Sequence, residues 1–273
     1  MDRLALKDDA IQIAAGADIR RLDRNYQRVE ESPRRPFHLL RSLLMKRKVL
    51  VVDVGGTHVK LLMSSRNERE FSSGPRLRPQ QLIAKLNETV RGWKFDRASI
   101  GFPAPIRKGR IARDPKHLGK GWIGFNFARA LGIPVRVVND AAMQALGSYR
   151  GGRMLFLGLG TGLGSALVWE KNLMPLELGD LPYRRGHIIE NYLGIPGLEL
   201  LGEKKWKREV AYAVIQLRKS FVADYVVLGG GLVHRFGRLP EGTERGQNEN
   251  AFLGGVRLWE AREHSRELKW LVL

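Results

Sequence analysis

The chain has 273 residues, 43% hydrophobic and 27% charged, which is typical of a globular protein with one large domain or two lobes. The absence of cysteine excludes disulfides, thiolate metal sites and cysteine nucleophiles. A net charge of +19 favours a polyanionic partner such as nucleic acid, polyphosphate or an anionic membrane, with a solvated basic surface as the alternative. No run of about 18 apolar residues and no secretory signal pattern is present, so we expect no membrane span and a cytoplasmic location.

The first 44 residues differ from the rest, since they carry only +2 of the charge. The stretch from Ile19 to Arg41 is rich in arginine, contains two prolines and shows little apolar periodicity. We therefore predict a basic, disordered extension over residues 1–46, with a short helix near Pro36 to Leu44. Met45 stands immediately before the first apolar strand, which raises the hypothesis that translation starts there.

The first strong pattern is the stretch from 48 to 64, KVLVVDVGGTHVKLLMS. Two apolar runs flank Asp53 and a Gly55-Gly56-Thr57 turn, which predicts a β-hairpin. Glycine lets backbone N–H groups approach an anion closely and threonine adds a hydroxyl, so this turn is a candidate phosphate loop. Asp53 could hold a cation or an ordered water beside the phosphate. A plain hairpin with a Gly-Gly turn is the alternative.

The next segment alternates strand, helix and loop. We predict a short strand and loop over 70–79, and then a helix that opens at Pro79 with apolar positions reaching Trp93. An apolar strand from Ala98 to Phe102 ends at Pro103-Ala104-Pro105, where two prolines force the chain to leave the sheet. A basic segment follows, with Arg107, Lys108, Arg110, Arg113, Lys116, His117 and Lys120.

A strand-to-helix junction follows this basic segment. Phe127 to Leu131 is a predicted short helix stopped by glycine and proline, and the strand from Val135 to Val138 delivers Asn139 and Asp140. Asp140 opens a helix that we expect to end at Tyr149. Open α/β folds bind ligands at the carboxyl ends of their strands, so both side chains are candidate site residues. Helix capping is the alternative reading, and it is compatible with a chemical role.

The stretch from 154 to 169, MLFLGLGTGLGSALVW, repeats the first hairpin with an offset of 105 residues. Two such hairpins indicate two lobes of like topology that present glycine turns to a shared cleft. We therefore predict an α/β, two-lobed actin/hexokinase-like (ribonuclease H-like) fold, with an N-terminal lobe over 47–138 and a C-terminal lobe over 139–273.

The remaining chain has one clear helix and a third glycine turn. Helical periodicity runs from Trp206 to Phe221, and a strand from 225 to 228 enters Gly229-Gly230-Gly231. Residues 248–263 are predicted as a last helix, which could pack back on the N-terminal lobe. The ending at 268–273 has no assignment.

Several motifs in this order resemble the ROK sugar kinases. They are DVGGTHVK at 53–60, GFPAPI at 101–106, VVNDAAMQALG at 137–147, LGLGTGLGSAL at 157–167, ELG at 177–179 and VVLGGGL at 226–232. The segment HLGKGWIGFNFARALG at 117–132 resembles the polyphosphate glucokinase branch most closely. Together the matches span roughly residues 47–258.

The resemblance implies a role for each matching residue. Asp140 is implied as the general base that takes the proton from the sugar 6-hydroxyl as it attacks a terminal phosphoryl group. Mg²⁺ would bridge phosphate oxygens, with Asp53 as a candidate contact. The implied sugar ligands are Asn139, Glu177, Glu190, Pro103 and Ala104. The implied phosphate-binding residues are Asp53, Gly55, Gly56, Thr57 and Lys60 in the first turn, Gly160, Thr161, Gly162 and Gly164 in the second, and Gly229, Gly230 and Gly231 in the third.

Two positions depart from the family pattern. Asp180 stands where many members have a histidine that joins a cysteine-rich zinc cluster, and because this chain has no cysteine we predict no zinc. An ionised aspartate accepts hydrogen bonds but cannot donate them, which affects sugar binding. His117 stands where many relatives have asparagine, and it is either a substitute sugar contact or simply an exposed residue.

The charge favours polyphosphate over ATP as phosphoryl donor, because a long polyanion needs an extended track of Lys and Arg. Arg107 to Lys120, Arg150 to Arg153 and Arg184-Arg185 are the candidate track. An ATP-dependent ROK hexokinase is the alternative. A ROK-type DNA-binding regulator is a further one, although residues 1–44 are too short for its helix-turn-helix and nucleic acid is not the partner we expect. The resemblance suggests a homodimer, and glucose or a related hexose as the acceptor.

Overall fold

The computed structural model describes residues 48–64, 67–247, 249–260 and 267–273. The predicted extension over 1–46 and its short helix lie outside these residues. Within them, no helix is both long enough and apolar enough to cross a membrane.

The first sheet has five strands in the order β3-β2-β1-β4-β7. β1 pairs antiparallel with β2 and parallel with β4, β2 pairs antiparallel with β3, and β4 pairs parallel with β7. A separate two-stranded ribbon, β5 and β6, follows β4. The strands are β1 (Val49–Val54), β2 (His58–Ser64), β3 (Asn67–Ser72), β4 (Arg97–Phe102), β5 (Ile106–Arg107), β6 (Arg110–Ile111) and β7 (Val135–Asn139).

The second sheet has six strands in the order β12-β11-β8-β9-β10-β13. β8 pairs antiparallel with β9 and parallel with β11, β9 pairs antiparallel with β10, and β11 pairs parallel with β12. β13 adds to β10 and accounts for the unassigned ending. The strands are β8 (Arg153–Leu159), β9 (Leu163–Trp169), β10 (Asn172–Leu176), β11 (Tyr225–Gly229), β12 (Thr243–Arg245) and β13 (Leu271–Val272).

The two sheets repeat one topology, which the hairpin repeat in the sequence predicts. Each has three antiparallel strands followed by two parallel ones. β1 ends at Val54 and β8 at Leu159, while β2 begins at His58 and β9 at Leu163. Both pairs of positions are 105 residues apart, so the two glycine turns occupy equivalent places in the two sheets.

The helices are α1 (Pro79–Thr89), α2 (Phe127–Leu131), α3 (Asp140–Ser148), α4 (Glu190–Leu193), α5 (Ile195–Leu201), α6 (Glu203–Ser220) and α7 (Asn250–Arg257), with 3₁₀ turns at Leu178–Asp180 and Val233–Arg235. The prediction for α2 is confirmed residue by residue. Helix α1 ends before Val90 and Trp93, and Gly92 with a φ of 85° follows it. The last helix was predicted too long: α7 begins at Asn250 and ends at Arg257, although residues 248 and 261–263 lie outside the described residues.

Two apolar cores flank the cleft described below. One lies on the first sheet and includes Phe102, Trp122 and Phe127. The other lies on the second sheet and includes Trp206 and Leu193. Helix α7 packs on α3 and on β1, with Gly255 directly against the side chain of Val51. The predicted lobe boundaries at 47–138 and 139–273 stay a prediction.

Candidate active site

A cleft of about 230 Å³ lies where both glycine turns and the β7–α3 junction meet. Its walls come from both sheets. Of the predicted site residues, the cleft is lined by Gly56, Pro103, Ala104, Asn139, Asp140, Gly160, Thr161, Gly162, Gly164, Glu177, Glu190 and Gly230. The predicted residues that do not line it are Asp53, Gly55, Thr57, Lys60, Gly229 and Gly231.

Asn139 and Asp140 stand where β7 passes into α3. The Asn139 Oδ1 accepts a hydrogen bond from the backbone N–H of Ala142 at 3.2 Å, which caps the helix. The Asp140 Oδ1 accepts one from the backbone N–H of Ala141 at 2.9 Å, and the residue lines the cleft. Burial raises the pKa of Asp140 to about 6, against the lowering effect of hydrogen bonds from the backbone N–H groups of Ala141 and of Asp140 itself. This junction therefore combines a capped helix start with a carboxyl group of raised pKa that lines the cleft.

Asp53 is the penultimate residue of β1, in the same sheet as β7. Burial, and after it the charge of Asp140, raises the pKa of Asp53 to about 7, while Lys60 works in the lowering direction. Asp53 is therefore within electrostatic reach of Asp140, although it does not itself line the cleft. Lys60 on β2, a predicted phosphate ligand, forms an ion pair with Glu68 on β3, with 3.1 Å between Nζ and Oε1. Lys60 does not line the cleft.

The two glycine turns are closed by their own backbones. The N–H of Gly55 donates to the carbonyl of His58 at 2.9 Å, and the N–H of Gly160 donates to the carbonyl of Gly162 at 3.1 Å. In the second turn a side chain at Gly164 would lie 2.8 Å from the Cβ of Ala141, so glycine lets the turn approach α3 closely. Gly56 and Gly160 both line the cleft, which brings the two turns to one place.

The third glycine turn contributes one residue to the cleft, Gly230, whose φ of 84° is in the left-handed region that favours glycine. The N–H of Leu232 donates to the carbonyl of Leu159 at 3.0 Å and ties this turn to the end of β8.

Charged side chains form a compact group on one wall. The Lys116 Nζ donates to Asp180 Oδ1 and to Glu190 Oε1, each at 2.7 Å, and Arg113 Nη2 lies 3.5 Å from Asp180 Oδ2. The hydrogen bond from Lys116 lowers the pKa of Asp180. Burial, followed by the charge of Asp180, raises the pKa of Glu177. Glu177 and Glu190, whose carboxylates can accept hydrogen bonds from hydroxyl groups, therefore line the same cleft as Asp140.

No model of a known protein family matches the chain. The chain is 25% identical to the polyphosphate glucokinase of Mycobacterium tuberculosis over 210 residues, which cover 66% of this chain and 76% of that protein. Its structure is similar to that of the inorganic polyphosphate/ATP-glucomannokinase from Arthrobacter sp. strain KM, with a TM-score of 0.66 at 22% identity. That match covers 77% of this chain and 97% of the other.

A ROK family glucokinase from Streptomyces griseus, solved with glucose and AMPPNP, matches with a TM-score of 0.61 at 14% identity, over 76% of this chain and 97% of that one. This chain has the ROK kinase fold. The predicted two-lobed actin/hexokinase-like architecture is confirmed, and so is the resemblance to the polyphosphate glucokinase branch of the ROK kinases.

On the ROK fold, the two departures from the family pattern take definite places. Asp180 accepts from Lys116 and lies beside Arg113, so its negative charge is balanced by two cations of the basic segment. His117 is exposed and also lines the cleft. A Cβ added at Gly56 would lie 3.4 Å from the Cβ of His117. The expectation that His117 is exposed is confirmed, and its role as a substitute sugar contact stays a prediction.

Sequence reasoning missed Asp114 as a member of this site. Its Oδ1 accepts hydrogen bonds from the backbone N–H groups of Trp122 at 2.8 Å and Gly121 at 3.2 Å. Because Trp122 is fully buried, this carboxylate fastens the basic loop to the first apolar core. The one available signal was an isolated aspartate inside a basic segment, and that signal says nothing about its partners.

The donor set fits a magnesium ion. Among the described residues no group of three or more His, Asp or Glu could hold a metal by itself. Asp53 is a hard oxygen donor whose pKa is raised by burial and then by the charge of Asp140, and a divalent cation would favour its ionised form. The expectation of no zinc stays a prediction.

Proposed function

We propose that this chain is a sugar kinase that transfers a phosphoryl group from polyphosphate to the 6-hydroxyl of glucose or a related hexose. The single observation that carries the proposal is a carboxyl group with a raised pKa, Asp140, in a cleft bounded by two equivalent glycine turns. The enzyme class, a phosphotransferase with an alcohol acceptor, is supported by the names of the curated relative and of the similar structures.

Asp140 acts as the general base in this proposal. A base of pKa about 6 is ionised at neutral pH and still basic enough to accept a hydroxyl proton as the new oxygen–phosphorus bond forms. Its bond to the Ala141 N–H holds Oδ1, which leaves the other oxygen for the sugar. Proximity and orientation are the main contributions that a protein makes to phosphoryl transfer, and a residue fixed at a helix start provides both.

The sugar is held by the residues that surround Asp140 in the cleft. Asn139 uses its Oδ1 as the helix cap, which leaves its Nδ2 to donate to a hydroxyl. Glu177 and Glu190 accept hydroxyl hydrogen bonds, and Pro103 and Ala104 form the wall where the chain leaves β4.

The donor phosphates are held by the glycine turns. Gly56 in the first turn and Gly160, Thr161 and Gly162 in the second line the cleft, so their backbones can approach phosphate oxygens. Asp53 would contact Mg²⁺, which when bound would neutralise charge on the phosphoryl group. In this proposal the turn residues that do not line the cleft set the shape of the turns: Gly55, Thr57, Gly229 and Gly231.

Polyphosphate is favoured as donor by the net charge of +19 and by exposed cations in the basic segment that follows β4. The track is narrower than the sequence suggested, because Arg150 pairs with Glu244 and Arg184 with Glu209, outside the cleft. Arg113 and Lys116 line the cleft but are balanced by Asp180 and Glu190. The exposed cations that remain in the basic segment are Arg107, Lys108, Arg110 and Lys120.

The second candidate is an ATP-dependent hexokinase, which the two ROK kinases solved with or named for ATP-type donors support. A DNA-binding regulator is not favoured, because such a protein has no use for the ionisable carboxyl group at 140. We propose a cytoplasmic location and a homodimer on the resemblance alone.

The test is a donor comparison with glucose, mannose and N-acetylated hexoses. We expect faster hexose 6-phosphate formation from polyphosphate than from ATP at low salt, with the polyphosphate rate falling as salt rises. Equal rates without salt dependence would remove polyphosphate as the donor. No phosphorylation of any hexose with either donor would overturn the kinase proposal itself.

A further inference from the structure

The basic loop is joined to the second half of the molecule by ion pairs at the cleft. Within the described part of the chain, every ion pair between residues 48–138 and residues 139–273 involves Arg113 or Lys116. Both lie in the loop between β6 and α2, and their partners, Asp180 and Glu190, lie beside the second sheet.

Each end of this connection is fastened to its own core. Asp114, next to Arg113, binds the backbone of the buried Trp122 in the first core. Asp180 follows the buried Leu178, and Glu190 lies between the buried Ile189 and Tyr192 of the second core. Lys116 therefore joins the loop between β6 and α2 to residues beside the second sheet through one ammonium group at the edge of the cleft, in addition to the packing of α7 on β1.

Glu190 is the least exposed partner, since its side chain is 18% exposed against 36% for Asp180 and 47% for Lys116. Its Oε2 stands where side chains at Gly162 and Gly179 would be, 2.5 Å and 3.1 Å from the ideal Cβ positions. Its Oε1 accepts from Lys116 at 2.7 Å. The carboxylate is thus hydrogen-bonded through Oε1 and occupies the space that the two glycines leave open, and removal of Lys116 would leave a largely buried charge without its cation.

We infer that Lys116 is a positioning residue that fixes the Glu190 carboxylate for a neutral sugar and draws the loop from Arg113 to His117 against the second half of the molecule. The inference rests on the proposed function only for the identity of the ligand. A carboxylate oxygen accepts more than one hydrogen bond, so Glu190 can serve Lys116 and a sugar hydroxyl together. Asp180 keeps Lys116 in place by accepting a second of its hydrogen bonds.

The charge balance also indicates which sugars fit. Two cations face two carboxylates in this cluster, so it presents no unpaired positive charge to a ligand. A neutral hexose suits it, whereas an acidic sugar would meet Glu177 and Glu190 without a free cation to balance its charge.

The inference is tested with Lys116→Met, the conservative Lys116→Arg and a matched control, Lys94→Met, which changes an exposed lysine without an ion pair among the described residues. Because the native chain has no cysteine, spin labels can be attached at Glu88→Cys on α1 and Lys205→Cys on α6, both exposed. We expect Lys116→Met to broaden or lengthen the label-to-label distance distribution in the sugar-free protein, while Lys116→Arg and Lys94→Met keep the native one.

In turnover, we expect Lys116→Met to raise the KM for the sugar by about tenfold, with the donor KM changed by less than about twofold and partial recovery in Lys116→Arg. Unchanged distance distributions and an unchanged sugar KM in Lys116→Met would overturn the inference. If the native protein phosphorylates no hexose, the proposed function fails while the distance measurement still decides whether Lys116 joins the two halves.

Discussion

The carboxyl group of Asp53 lies within electrostatic reach of Asp140, which lines the cleft. Burial, followed by the charge of Asp140, raises the pKa of Asp53 to about 7, and burial raises that of Asp140 to about 6. Asp53 lies on β1, and Asp140 directly follows β7. Both strands pair with β4, so the sheet brings together residues 87 positions apart in the sequence. Such raised values make both groups sensitive to pH in the physiological range.

Activity should follow the ionisation of Asp140. Because the base must be deprotonated and its pKa is about 6, we expect kcat/KM to fall by about tenfold per pH unit below pH 6 and to level off above it. The measurement is kcat/KM for the sugar between pH 5 and 8 at saturating donor. A flat profile down to pH 5 would contradict the assignment of Asp140 as the base.

Replacing Asp140 should remove catalysis without unfolding the protein. We expect Asp140→Asn to lower kcat by at least about 100-fold, which is the range for loss of a general base, because the amide cannot accept the hydroxyl proton. Asn139 still caps α3 in this variant, so the circular dichroism spectrum should be native. The matched control is Asp96→Asn, an aspartate outside the cleft that pairs with Arg97, and it should retain activity. Full turnover in Asp140→Asn would refute the role.

The same substitution should stabilise the fold at high pH. A folded pKa of about 6 lies above the ordinary value of 3.8, so between these values the folded state holds a proton that the unfolded state has lost. Stability therefore falls as pH rises from about 4 to 6 and stays lower above that. We expect Asp140→Asn to be more stable than the native protein by about 1–3 kcal/mol at pH 8, with little difference at pH 4. Urea unfolding at both pH values measures this, and a loss of stability at pH 8 would count against burial as the cause of the raised pKa.

Gly162 should matter for the sugar through Glu190. A side chain there would lie 2.5 Å from Glu190 Oε2, so Gly162→Ala must displace the carboxylate. We expect the sugar KM to rise by about tenfold, because Glu190 loses its place in the cleft. Gly237→Ala, which adds a methyl group in open space, serves as the control. A rise confined to the donor KM would show instead that Gly162 acts only in phosphate binding.

Several elements were predictable because their signals are local. The repeated hairpins follow from two apolar runs around a glycine turn, and α2 follows from a capping asparagine before it and a glycine after it. Asp140 was predictable as well, because a strand that runs directly into a helix sets its position. The end of α7 at Arg257 and the ion pair between Lys60 and Glu68 were not, since both depend on contacts with other elements.

The amino-acid sequence alone determined the α/β repeat, the three glycine turns and the carboxyl group at the start of α3, because each depends on residues adjacent in the chain. Only the tertiary structure decided which residues share the cleft and how their charges are balanced. Lys116 forms hydrogen bonds with Asp180 and Glu190, which lie 64 and 74 residues further along the chain. The charge of Asp140 raises the pKa of Asp53, a residue on a different strand of the sheet. Contacts of that kind depend on how the two sheets bring distant segments together, and no local pattern encodes them.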